Sequence, residues 1–166
     1  THFSNFYECA PLETIRTYIE EMALWGFNLL CFWFDMNWFP RGFWDDPQSR
    51  GSRMIARLRA IADTARECGL RVGAMGVANE GFRCQPPPEM RADISARRGG
   101  FYPESQICPS HPGGLEMILD NRRRVLDLLG PLDLYVHWPY DQGGCGCPSC
   151  SDAEHRWGRK FLELGP

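Results

Sequence analysis

Helical and extended patterns alternate along this chain, and that alternation limits the folds open to it. Leu12, Ile15, Ile19, Met22 and Trp25 recur at helical spacing, with Pro11 and Glu13 at the start and Gly26 at the stop. Asn28 to Asp35, NLLCFWFD, is then an apolar run too short for another helix and suited to a strand buried on both faces. Met54, Ile55, Leu58, Ile61, Ala62 and Ala65 mark a second amphipathic helix ending at Gly69, and Arg71 to Val77 reads as the next strand. Leu115, Ile118, Leu119, Val125, Leu126 and Leu129 give a third helix, closed by Gly130-Pro131. The β-rich run Leu132 to Trp138 follows and ends at Pro139, which has no N–H for strand pairing.

The remaining stretches fit around this frame. Residues 1 to 7, THFSNFY, read as the end of a first strand, and a last helix is expected to begin near Ser151 or Asp152 and to carry Trp157, Phe161 and Leu162. Residues 36 to 51 form a long aromatic loop, and the proline-rich residues 83 to 114 form a connecting excursion with room for a short helix over Pro88 to Ser95. The resulting order, β-α-β-α-β-α-β-α, demands an α/β fold with a parallel sheet and right-handed crossovers. A doubly wound sheet would carry a glycine-rich turn after its first strand, and ECAPLE is no such turn. A (β/α)8 TIM barrel needs roughly 250 residues. At 166 residues the chain therefore reads as a single partial barrel domain of about four βα units, trimmed at both ends. Half a barrel leaves open sheet edges, so the missing carboxyl-terminal half or self-association is expected to cover them.

Composition excludes some functions. A net charge of −3 argues against nucleic acid as partner, and the arginines at 50 to 59 and 122 to 124 sit at helical spacing, as solvated faces do. No apolar run is long enough to span a bilayer, and the amino end lacks the build of a signal peptide. A soluble protein without a membrane partner is expected, its compartment open between the cytoplasm and export.

Three acids stand at the ends of three successive strands: Asp35, Glu80 and Asp141. In a barrel such ends ring one mouth, and carboxylates gathered there suit cleavage of a glycosidic bond, one protonating the leaving oxygen while another acts as base or nucleophile. The alternative is that each acid caps a helix or pairs with an arginine. Trp33, Trp38, Trp138 and Tyr140 offer flat faces for a sugar ring, with Trp44 nearby, and Asn79 and His137 offer hydrogen bonds to it. A strand histidine is also a common satisfied core residue.

Cys145, Cys147 and Cys150 form C-x-C-x-x-C on a loop that Gly143, Gly144 and Gly146 leave free to turn. With Cys108 from ICPSHPGG as fourth ligand they would make a closed structural zinc site, and His111 or His155 could substitute. The rival arrangement is one or two disulfides, although three cysteines this close pair poorly among themselves. Cys9, Cys31, Cys68 and Cys84 read as ordinary thiols. A catalytic zinc would need an open coordination position, which four cysteines do not leave.

Taken together, HFSNFY, ALWGFNLLCFWFDM, ICPSHPGG and WPYDQGGCGCPSC with a following WG resemble bacterial barrel proteins related to glycoside hydrolases, near the β-hexosaminidase and α-glucuronidase superfamily. The resemblance runs over nearly the whole chain and implies a glycoside-hydrolase-like barrel acting on a carbohydrate substrate, with no cofactor for catalysis. It places a catalytic acid at the position of Asp141. Hexosaminidases carry an adjacent Asp-Glu pair there, whereas this chain has Asp141-Gln142, which points away from substrate-assisted hexosaminidase chemistry. A non-catalytic carbohydrate-binding barrel is the alternative that this departure leaves open.

Overall fold

The computed structural model describes residues 3–94, 103–138 and 144–151. In chain order the helices are α1 (Phe3–Cys9), α2 (Leu12–Leu24), α3 (Arg50–Glu67), α4 (Gly114–Leu129) and the single turn α5 (Pro148–Ser151). The strands are β1 (Leu29–Trp33), β2 (Arg71–Val77) and β3 (Leu134–Trp138), hydrogen-bonded in the order β1-β2-β3. Strands alternating with helices match part of the expected barrel, with three strands rather than four among the described residues. The chain forms two compact units, the first of residues 1–34, 42–75 and 125–136, the second of residues 35–41, 76–124 and 137–166.

In the first unit β1 and β2 pair in parallel from Leu29 opposite Arg71 to Trp33 opposite Met75. β1 is not buried on both faces as its composition suggests. Leu30 and Phe32 are buried while Leu29, Cys31 and Trp33 are half-buried, the alternation of a strand with one covered face. β3 is introduced by a reciprocal contact: Asp133 N–H donates to Val72 O, and the Asp133 carboxylate accepts from Val72 N–H, both at 2.8 Å. That contact holds the chain just before the strand, so the strand begins at Leu134 instead of Leu132.

The helices obey their apolar spacing. Ile15 and Ile19 of α2 are buried, as are Ile55, Leu58, Ile61, Ala62 and Ala65 of α3. Ser49 opens α3 by accepting from Ser52 N–H at 3.0 Å, so the helix starts at Arg50, ahead of the apolar stripe that begins at Met54. Gly26 and Gly69 end α2 and α3 at φ of +84° and +81°, where a β-carbon would be strained. Trp25 lies at the end of α2 and is exposed, so the buried face is shorter than the spacing suggests.

One expectation fails in this unit: residues 3–9 form a helix and not a strand end. FSNFYEC has aromatics but no β-branched residue, so its extended preference is weak. The Arg57 side chain donates to the carbonyls of Tyr7 and Ala10, groups that a helix end would otherwise leave unmet, and Phe6 packs edge-on against Tyr18 at 5.4 Å.

In the second unit the described residues of the proline-rich excursion, 83–94 and 103–114, are better ordered than their lack of periodicity implies. Two isolated antiparallel bridges, Glu80 with Gln106 and Arg91 with Ile107, set residues 105–108 between the segments at 79–81 and 90–92. Among the described residues where a short helix had room there is only a 3-10 turn, Pro88–Met90, because Arg91 onward is drawn into this pairing. Among the described residues no helix is long and apolar enough to cross a membrane.

Candidate functional site

The second unit holds the ends of β2 and β3 and the turn that follows β1. Ala78, just after β2, donates its N–H to Trp138 O at the end of β3, at 2.8 Å. Asp35 follows β1 in extended conformation and leads into the 3-10 turn Met36–Trp38. Such a turn leaves its first N–H groups pointing outward without partners. Glu80 supplies them: Met36 N–H donates to its Oε2 and Asn37 N–H to its Oε1, each at 3.1 Å, and the Asn37 side-chain amide donates to Oε1 as well.

Glu80 is only 2% exposed. Burial, and after it the negative charge of Asp35, pushes its carboxyl up to about 8, although the bonds from Asn37 and Met36 work the other way. The structure thus brings together Asp35 and Glu80, with Glu80 in a buried position that grips the backbone beside Asp35. Asp35 is half-buried, and its Oδ2 accepts from the Trp38 indole N–H at 3.3 Å. Trp38 itself is about half exposed.

Asn79 is fully buried; its side-chain amide donates to Ile107 O at 3.0 Å, and its main-chain carbonyl accepts from Ile107 N–H at 2.9 Å. It braces residues 105–108 against the end of β2. His137 and Trp138 are half-buried on β3. Burial, helped by the charge of Arg122, lowers the His137 imidazole to about 4, so it is neutral at ordinary pH and able both to donate and to accept. Trp33 ends β1 in the first unit, half-buried. Tyr140 and Asp141 lie outside the described residues, as do His155 and the last helix expected to carry Trp157, Phe161 and Leu162.

Two further residues contribute that the sequence does not single out. Asn37 sits in a loop with no motif to mark it. Arg122, whose spacing suits a solvated face, is instead 5% exposed, donates from Nη2 to Val77 O at 2.9 Å, and lies close enough to Glu80 to feel its charge. The sequence does hold a signal for it: Ile118, Arg122, Val125 and Leu129 share one helical stripe, so an arginine stands in the apolar face. Burial lowers its guanidinium to about 10, which still leaves it charged at neutral pH.

The cysteine expectation is met in its geometry. The sulfurs of Cys108, Cys145, Cys147 and Cys150 all lie within 4.8 Å of one another, and Cys108, Cys145 and Cys150 are buried. Cys108 Sγ is 3.7 Å from Cys147 Sγ and 3.8 Å from Cys150 Sγ, beyond bonding distance, and all eight cysteines are free. His111 turns its Nδ1 to Pro112 O at 2.8 Å.

Comparison with known proteins adds a fold. No protein-family model matches the chain, and no curated protein sequence matches it. Among solved structures it is similar to the exo-β-1,4-mannosidase Op5Man5 from Opitutaceae bacterium strain TAV5, with a TM-score of 0.56 and 19% identity. The likeness covers 97% of this chain and 27% of that one, so the chain spans about a quarter of the enzyme it resembles. That enzyme is a TIM-barrel glycoside hydrolase, and at this identity the likeness shows the fold alone: this chain has the fold of part of a (β/α)8 barrel.

Proposed function

We propose that this chain is part of a (β/α)8 barrel that cleaves a glycosidic bond in a glycan by carboxylate chemistry, in the region of the β-hexosaminidase and α-glucuronidase superfamily. The observation that supports this most is the meeting, within the second unit, of the turn after β1 with the segment after β2, where Glu80 holds the backbone on which Asp35 and Trp38 stand. In this reading Asp141 is the acid or base that meets the sugar. Asp35 orients the substrate, and Glu80, too buried to touch it, is a positioning residue. Trp33, Trp38, Trp138 and Tyr140 supply stacking faces, and neutral His137 hydrogen-bonds a hydroxyl. The rest of the barrel, from further chain or from self-association, completes the mouth.

A second reading, a carbohydrate-binding barrel without turnover, draws on the burial of Glu80 and on Gln142 beside Asp141. Hydrolysis of a panel of aryl glycosides and glucuronides, by the longest form of the protein and by its Asp141→Asn variant, separates the two. Turnover of one sugar class that disappears in the variant supports the hydrolase. Calorimetric binding of sugars with no turnover by either form supports the binding barrel.

A further inference from the structure

We propose that Cys108, Cys145, Cys147 and Cys150 bind one zinc ion as four thiolates, forming a closed structural centre that fastens the loop after β3 to the segment paired with Glu80. The geometry carries the inference. Zinc–sulfur bonds of about 2.3 Å in a tetrahedron place neighbouring sulfurs about 3.8 Å apart. Cys108 stands at 3.7 and 3.8 Å from two of its partners, far beyond a disulfide's S–S bond and close to that tetrahedron edge.

The surroundings suit thiolates too. Binding releases four thiol protons and leaves the centre with a charge of about −2, which needs donors around the sulfurs. Asp93 N–H points at Cys145 Sγ at 3.3 Å, and the Ser110 hydroxyl lies 3.0 Å from Cys150 Sγ. Four cysteines leave no coordination position for water or substrate, so the role is structural.

The metal reaches the candidate site through the backbone. Cys108 N–H donates to Met90 O at 2.8 Å, Ile107 N–H to Asn79 O at 2.9 Å, and Gly81 N–H to Ser105 O at 2.6 Å. Gly146 N–H donates to Asp93 O at 2.7 Å. Residues 144–150, GCGCPSC, hold no aliphatic side chain beyond the ring of Pro148, so apart from the bonds of Gly146 N–H to Asp93 O and of the Ser110 hydroxyl to Ser149 O it is the sulfurs that can fix them. The cation closes that loop onto residues 105–108, which run beside Asn79, Glu80 and Gly81.

The test uses the full chain, purified under reducing conditions. Elemental analysis should find one zinc per chain. A thiol reagent should reach Cys9 and Cys84 at once, and Cys108, Cys145, Cys147 and Cys150 only after a chelator is added. Cobalt added to the stripped protein should give the intense absorption of tetrahedral cobalt thiolate, and hydrogen exchange at Ile107, Cys108 and Gly146 should lose protection without metal. Cys108→Ser should weaken zinc binding by at least about tenfold, while Cys9→Ser should not. If Cys108→Ser does not fold, the cobalt titration of the unaltered chain decides. Zinc-free protein whose four thiols react as fast as Cys9, recovery of the four as disulfides from unreduced protein, or cobalt bound without thiolate absorption would overturn the proposal. So would exchange protection that is the same with and without metal.

Discussion

Glu80 and Asn37 are joined twice, the buried carboxylate accepting both the main-chain N–H and the side-chain amide of the asparagine, 43 residues away. With Met36 N–H as a third donor, the carboxyl takes the place of a cap for the turn that carries Asp35 and Trp38. Glu80→Ala removes the acceptor for all three donors in a dry environment. A loss of about 3 kcal/mol in unfolding free energy is expected, since each buried unmet group costs about 1–3 kcal/mol. Chemical denaturation measures it, and a loss below about 1 kcal/mol would show that water or another group replaces the carboxyl.

The raised Glu80 carboxyl also sets a direction with pH. The folded state holds this proton more tightly than the unfolded chain, so the stabilising contribution is full below the unfolded value and disappears as pH rises to about 8. His137 acts oppositely. Its lowered imidazole binds the proton less tightly when folded, so its contribution is present above the unfolded value and is lost as pH falls to about 4. Stability followed from about pH 4 to about pH 9 should fall at both ends, and Glu80→Gln should flatten the alkaline side alone. An unchanged alkaline slope in that variant would remove Glu80 as its source.

His137 should titrate near about 4 in the folded protein, well under an ordinary imidazole. Two-dimensional NMR of the ring carbons follows this directly. Arg122→Met removes a repelling charge and should raise the value, whereas an unchanged midpoint would leave burial as the whole cause.

Arg122→Ala should destabilise the chain by about 3 kcal/mol, because it leaves Val77 O without this donor and empties a buried site. Arg123→Ala, which removes only an exposed pair with Asp120, should stay within about 1 kcal/mol of the parent. Comparable losses for the two in urea denaturation would contradict the burial of Arg122.

Gly51 lies in the first turn of α3 with a would-be β-carbon 2.4 Å from the ring of Phe43. Gly51→Ala therefore forces the buried ring aside and should lower stability by about 1–3 kcal/mol, although alanine is the better helix former. Thermal unfolding of Gly51→Ala beside Gly51→Ala/Phe43→Leu checks the cause, since the smaller side chain should recover part of the loss.

Local order was legible in the sequence where it depends on neighbours in the chain. The apolar stripes at Ile15 and Ile19 and at Ile55 to Ala65 produced α2 and α3, and the apolar runs produced β1 to β3. The spacing of Cys145, Cys147 and Cys150 pointed to a cluster, with Cys108 as partner. Tertiary structure decided what distant partners control. Residues 3–9 became a helix because Arg57 meets its last carbonyls, and Arg122 was drawn inside because Val77 O lies within its reach. Glu80 proved to be a buried brace because the turn after β1 presents three donors to it. Periodicity reports which residues share a face, but the fate of a polar side chain depends on the groups folding brings against it, since a buried donor or acceptor must find its partner there.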